Sequence, residues 1–213
     1  MSSLKDIRTD YTKGELNPGE MASCPAEQLA RWVDEAAAEG VGDPNAFCLS
    51  TMQLNGAPTG RIVLARRIDE RGVVFYTNKL SSKGEELEVV AKAGATFFWS
   101  EMQRQVRLSG EVSHLSDREA DEYFTSRPKG SRIGAWASEQ SKAMSSREEL
   151  EKRVAEYEEK FAGGDDVPRP PHWGGYLVSI DEIEFWQGRA SRLHDRVKYV
   201  KEGGSWRVEL LQP

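Results

Sequence analysis

The chain of 213 residues carries 29 Lys and Arg against 35 Asp and Glu, a formal net charge of −6, with 38% hydrophobic residues. This length suits one large domain and allows a sizeable core, while the acidic balance argues against broad nucleic-acid binding. No run approaches the roughly 18 apolar residues of a membrane span, and MSSLKDIRTDYTKGEL lacks the apolar stretch of a secretory signal, so the expected location is the cytoplasm.

Residues 1–22 have weak periodicity and read as an arm or lid. Pro25 opens a helix expected to reach Glu39, with Leu29, Trp32, Val33 and Ala36 on one face. Asn55-Gly56 joins two strands, 47–53 and 58–67, as a hairpin, and 73–77 is a third strand. A Glu- and Lys-rich helix follows over about 82–91, then strands 95–100 and 105–115. Ser116 with Glu119, and Ser145 with Glu148, have capping-box spacing and predict helices over 117–126 and 146–162. Three last strands are expected over 174–183, 192–201 and 206–211. Six or more antiparallel strands with interposed helices imply a mainly β, α+β fold: a β-barrel with peripheral helices. The absence of GxGxxG and of a βαβ alternation argues against a dinucleotide-binding fold.

Cations cluster locally on this acidic chain, in RIVLARR, RPKGSR and RLHDR, which suggests small anionic ligands. In a continuous strand Arg61 and Arg66 would face opposite ways, roughly 16 Å apart, and so serve two anion sites; a charged strand edge is the plain alternative. In YFTSRPKGS, Tyr123 and Arg127 are four apart on a helix, and Ser131 could cap a short helix over 133–137. Phenol, guanidinium, hydroxyl and helix start would make a phosphate cup, or merely a helix end that favours a cation. Arg192, His194 and Arg196 at i, i+2 and i+4 would share one strand face, beside a possible aromatic platform at Trp186; a solvated polar face fits equally. Cys24 and Cys48 have no metal-ligand spacing, so no metal is expected.

The motifs RIVLARR, FYTNKLSSK, RQVRLSGEV, YFTSRPKGSRIGAWAS, EQS, WGGYLVS, IEFWQG and RLHDR, in this order, closely resemble the pyridoxine/pyridoxamine 5'-phosphate oxidase family over nearly the whole chain. The resemblance implies an FMN-binding split β-barrel that forms a homodimer with FMN at the subunit interface. It implies one domain over 23–213, including a dimerisation and substrate segment at 172–213. Arg61, Ile62, Val63, Leu64, Arg66, Tyr76, Thr77, Ser82, Lys83, Gln105, Gln140, Ser141, Trp186 and Arg196 are similar to cofactor contacts, some reaching across the dimer. Arg66, Tyr123, Arg127 and Ser131 resemble the substrate phosphate cup, Arg192 and His194 the catalytic groups over the substrate ring, and Arg8 and Tyr11 a lid.

The implied activity is oxidation of pyridoxine or pyridoxamine 5'-phosphate to pyridoxal 5'-phosphate with dioxygen reduced to hydrogen peroxide. Another split-barrel flavin reductase, or a non-enzymatic carrier of flavin or pyridoxal phosphate, is the alternative. Two positions depart from the family's habit. Arg66 stands where Lys is usual, which keeps the charge but replaces a compact ammonium with a planar fork. Ser82 stands where Arg is usual, which removes one charge-assisted contact and predicts a weaker grip on the FMN phosphate.

Overall fold

A computed structural model describes residues 4–6 and 9–213. The first helix, α1 (Pro25–Ala38), has Pro25 in its first turn, where a missing N–H is harmless. Its inward face of Leu29, Trp32 and Ala36 is almost wholly excluded from solvent. Trp32 meets Phe185 edge-on at 5.1 Å and Trp99 at 6.3 Å, which fastens the helix to the sheet.

Among the described residues ten antiparallel strands follow: β1 (Ala46–Met52), β2 (Pro58–Leu64), β3 (Arg67–Asp69), β4 (Gly72–Asn78), β5 (Lys92–Trp99), β6 (Arg104–His114), β7 (Trp173–Ser179), β8 (Glu182–Gln187), β9 (Asp195–Glu202) and β10 (Ser205–Leu210). The long strand β6 joins two pairing paths. Its first half lies between β5 and β8, and its last three residues, Val112, Ser113 and His114, pair with β7. One path runs β10-β9-β8-β6-β5-β1-β2, and the other continues from β6 through β7 and β4 to β3. Gly110 sits where β6 changes partner. A Cβ there would fall 1.9 Å from the Ser179 carbonyl oxygen, so only glycine lets the chains approach. The two paths enclose one core in which Phe47, Phe75, Phe97, Phe185 and Val197 are fully or almost fully buried.

The helices sit outside this core: α2 (Ser82–Val89), α3 (Asp117–Ser126), α4 (Lys129–Ala137) and α5 (Arg147–Lys160). Ser116 and Glu119 form the expected reciprocal capping box on α3. On α5 the cap is one residue later than the spacing suggests: Ser146 accepts from the Glu149 N–H, while the Glu149 carboxylate accepts from Ser145. Likewise Ser131 does not cap α4. That helix starts at Lys129 with Pro128 in the cap position.

Three expected strands break where the chain changes hydrogen-bond partner. The one expected over 58–67 ends at Leu64, because Ala65 N–H turns to Asn45 O and Arg66 N–H to Val74 O. The one expected over 174–183 is two strands, with Asp181 N–H bonded to Ser109 O between them. The one expected from 192 starts only at Asp195. Arg192 lies in a 3-10 turn, Ala190–Arg192, with Ser191 and Arg192 at φ of 59° and 65°.

Candidate active site

A cavity of about 650 Å³ opens between β2, β4, α3 and α4. It takes Arg61, Ile62, Val63 and Leu64 from β2, Arg66 from the break after it, and Tyr76 and Thr77 from β4. Lys83, Tyr123, Arg127, Ser131 and Gln140 complete the predicted set that lines it. Arg61 and Arg66 therefore share one cavity, against the opposite-face expectation. The break at Ala65 takes Arg66 out of the alternation that a continuous strand would impose.

Lys83 and Thr77 make one end. Ser81 caps α2, and Lys83, in the first turn behind it, is turned inward and buried. Its ammonium meets three neutral oxygens: Gln140 Oε1 at 3.0 Å, and Thr77 Oγ1 and Ser81 Oγ at 3.4 Å each. Burial pushes its pKa below the ordinary lysine value, the Arg61 charge adds to this, and Glu86 opposes it. The carboxylate of Glu86 is occupied by Arg61 Nη2 at 2.9 Å and by the Thr51 hydroxyl. A buried ammonium surrounded by neutral acceptors is unfavourable unless an anion completes the site.

Arg66, Tyr123, Arg127 and Ser131 make the second group. Tyr123 stacks on Tyr76 with ring centroids 4.0 Å apart, and Tyr76 stacks on Trp173 at 5.2 Å. The Arg127 guanidinium lies 4.9 Å from the Trp173 ring centre, and the Arg66 guanidinium 6.0 Å from that of Tyr123. Arg127 Nη1 is buried with no hydrogen-bond partner among the described residues, and burial lowers the pKa of this guanidinium, with Arg66 adding to the effect and Tyr123 opposing it. Arg127 is the C-cap of α3 rather than a helical residue, so it shares the cavity with Tyr123 without sharing a helix face. Trp173, the wall against which both Arg127 and Tyr76 lie, is not among the residues expected from the sequence. Its only sequence signal is its place at the head of WGGYLVS.

The remaining predicted residues lie elsewhere on the chain. Ser82 is exposed at the start of α2 and Ser141 is in the loop beyond Gln140; neither lines this cavity. Gln105, Trp186 and Arg196 are directly paired across β6, β8 and β9, forming one cross-strand row. Arg196 is already engaged, with Nε and Nη2 on the buried Glu184 at 2.8 and 3.0 Å.

His194 packs against Trp186 with centroids 4.6 Å apart, and Tyr11 covers both. The arm is pinned there because Gln103 Oε1 accepts from the Thr12 and Lys13 N–H groups, and Asp195 accepts from that of Leu16. Arg192 is exposed and, like His194, lies outside the cavity of its own chain. The strand face expected to unite Arg192 with His194 and Arg196 is lost to the 3-10 turn. Arg8 lies outside the described residues.

Residues 33–161 match the family described as "Pyridoxamine 5'-phosphate oxidase", and residues 173–213 match "Pyridoxine 5'-phosphate oxidase C-terminal dimerisation region". The chain belongs to the pyridoxamine 5'-phosphate oxidase family. It is 49% identical over 214 residues to a pyridoxine/pyridoxamine 5'-phosphate oxidase of Ralstonia pickettii, covering 100% of both chains. It is 47% identical over 216 residues to one from Burkholderia multivorans, again covering 100% of both. Among solved structures, PhzG from Burkholderia lata 383, in complex with tetrahydrophenazine-1-carboxylic acid, superposes with a TM-score of 0.87 at 34% identity, over 93% of this chain and 98% of that one. A pyridoxamine 5'-phosphate oxidase-related, FMN-binding protein from Nostoc punctiforme matches the fold with a TM-score of 0.71 at 15% identity, over 94% of this chain and 100% of that one.

The chain is thus an oxidoreductase of a flavoprotein family whose cofactor is FMN. The residues fit that cofactor: Lys83, buried among neutral oxygens beside Arg61 and Thr77, offers the charge that a phosphate would satisfy. Among the described residues, no helix is long and apolar enough to cross a membrane.

Proposed function

We propose that this chain is a cytoplasmic, homodimeric FMN-dependent oxidase that converts pyridoxine 5'-phosphate or pyridoxamine 5'-phosphate to pyridoxal 5'-phosphate. The alcohol and O2 give the aldehyde and H2O2; the amine, O2 and water give the aldehyde, ammonia and H2O2. The observation that carries this reading is a single cavity with two groups of cations that have no carboxylate partner among the described residues. Lys83 is one, and Arg66 with Arg127 is the other. Two phosphates, one on the cofactor and one on the substrate, match that arrangement.

Bound FMN supplies a two-electron acceptor that dioxygen regenerates. Lys83, Arg61 and Thr77 would hold its phosphate. Arg66, Arg127 and the hydroxyls of Tyr123 and Ser131 would hold the substrate phosphate and so fix the orientation of the pyridine ring. Gln105, Trp186, Arg192, His194 and Arg196 would reach the cavity from the partner subunit. The match of residues 173–213 to a dimerisation region supports this for Trp186, Arg192, His194 and Arg196, which lie outside the cavity of their own chain, and Gln105 is paired directly with Trp186. Residues 23–213 would then act as one domain, with the arm over 1–22 as a lid that brings Tyr11, and Arg8 with it, toward the substrate.

The test is direct. The purified protein is examined for a flavin spectrum, then given pyridoxine 5'-phosphate in air while peroxide is assayed. Peroxide formation with the phosphorylated substrate, and far less with free pyridoxine, is expected. Bound flavin without peroxide would make the protein a carrier and overturn the reading.

A further inference from the structure

We infer that Arg169 is a positioning residue that sets the substrate-phosphate cup without touching substrate; this rests on Tyr123 and Arg127 forming that cup. Arg169 stands in the loop before β7, and its side chain is only 10% exposed. All three of its nitrogens are used. Nε donates to Asp121 at 2.6 Å, Nη2 to Asp117 at 2.8 Å, and Nη1 to the carbonyl of Trp173 at 2.7 Å.

Asp117 and Asp121 are four apart and stack one turn above the other on α3. A single planar guanidinium therefore ties the first half of α3 to the first residue of β7. The two elements it joins carry the cup. Tyr123 and Arg127 come from α3 and its cap, and Trp173 is the wall against which the Arg127 guanidinium lies. Phe124, on α3 between them, meets Trp173 edge-on at 4.9 Å and is buried, so a shift of the helix would propagate through that contact. Burial alone would lower the pKa of Arg169, yet its two carboxylates keep it raised, so the clamp stays charged.

Lysine could not replace this arrangement. A compact ammonium does not present three divergent donors in one plane, so it cannot meet two carboxylates and a carbonyl with the same geometry.

Position can be separated from charge by cutting the clamp from each side. Removing Arg169 takes away a positive charge near an anion site, which would weaken phosphate binding even without movement. Removing the two carboxylates takes away negative charge, which would strengthen phosphate binding unless the cup has moved. The experiment compares Arg169→Gln, Arg169→Lys and the double variant Asp117→Asn/Asp121→Asn in the flavin-loaded protein. It measures kcat and KM for pyridoxine 5'-phosphate, and in parallel the dissociation constant of inorganic phosphate by calorimetry.

All three variants are expected to raise KM and the phosphate constant on the order of tenfold, with kcat within about twofold of the parent. The double variant decides the matter. If it lowers KM or leaves it unchanged, or if Arg169→Lys binds phosphate as the parent does, the positioning role is wrong. The phosphate titration does not depend on turnover. A parent protein that binds phosphate but makes no peroxide would sink the oxidase reading and leave the clamp to be judged on binding alone. A parent that does not bind phosphate would sink both.

Discussion

The backbone N–H of Arg189 donates to Nδ1 of His194 across 3.1 Å. A ring nitrogen that accepts cannot carry a proton, so the neutral imidazole bears its hydrogen on Nε2 and presents a donor on its other edge. Burial lowers the His194 pKa from its ordinary value, the Arg192 charge lowers it further, and Asp195 opposes both.

The accepted hydrogen bond and the lowered pKa both favour the neutral ring in the folded protein, and the sign of the linkage follows. Its contribution to stability is present above the ordinary histidine value and is lost as pH falls through the depressed one. His194→Gln, which can place an amide donor near the Nε2 position, is expected to retain more activity than His194→Asn, which mimics only the nearer nitrogen. Steady-state rates of the two variants check this; equal loss in both would mean the Nε2 donor is not used.

The buried, unpartnered Nη1 of Arg127 makes a second expectation specific. Phosphate remains the same group before and after oxidation of the substrate, so a contact to it is uniform binding. Arg127→Ala should raise KM for pyridoxine 5'-phosphate by roughly tenfold to a hundredfold, as for loss of a charge-assisted hydrogen bond worth about 1.5–3 kcal/mol, while kcat changes little. Steady-state kinetics decide it, and an unchanged KM would remove Arg127 from the cup.

Much of this site was legible in the sequence because its parts are local. Tyr123 and Arg127 sit at the end of one helix, and Arg61 to Leu64 lie together on one expected strand. The failures share a cause. The strand expected from Pro58 to Arg67 stops at Leu64, and the one expected from Arg192 begins at Asp195, because the backbone changes hydrogen-bond partners there. Apolar alternation does not record a change of partner. For the same reason the shared cavity of Arg61 and Arg66 was hidden. Trp173 was hidden too, since its place beside Arg127 is created by strand pairing between residues far apart in sequence. The separation of Arg192 and His194 from the cavity had only one sequence-level clue: the family resemblance that has some contacts cross a dimer.

Lys83 is expected to trade stability for cofactor binding. Its ammonium is buried among neutral oxygens, and burial pulls its pKa down. Lys83→Met should weaken FMN binding by on the order of tenfold to a hundredfold, the scale of one charge-assisted phosphate contact. The flavin-free variant should nevertheless be at least as thermally stable as the flavin-free parent, because an unpaired buried charge has been removed. Fluorescence titration with FMN and thermal melts of both apo-proteins test the two halves. A lower melting temperature in the variant would show that Lys83 contributes to folding rather than being held for the ligand.

Gly188 packs directly against the arm. A Cβ at this position would lie 2.8 Å from Cγ and Cδ2 of the Tyr11 ring, nearer than carbon atoms approach without displacement. Tyr11 in turn covers Trp186 and His194, with ring centroids 5.8 and 5.7 Å away. Gly188→Ala should therefore displace Tyr11 while the sheet beneath stays intact, since the Gly188 N–H bond to Gln103 O at 2.8 Å needs no side chain. Displacement of Tyr11 works against the neighbouring bonds from the Thr12 and Lys13 N–H groups to Gln103 Oε1. Brief trypsin treatment is thus expected to cleave after Lys13 several-fold faster in the variant than in the parent, because cleavage follows local opening. The melting temperature should move little, as few core contacts are involved. Equal cleavage rates would show that the arm is held without Tyr11, and that the close contact at Gly188 does not govern it.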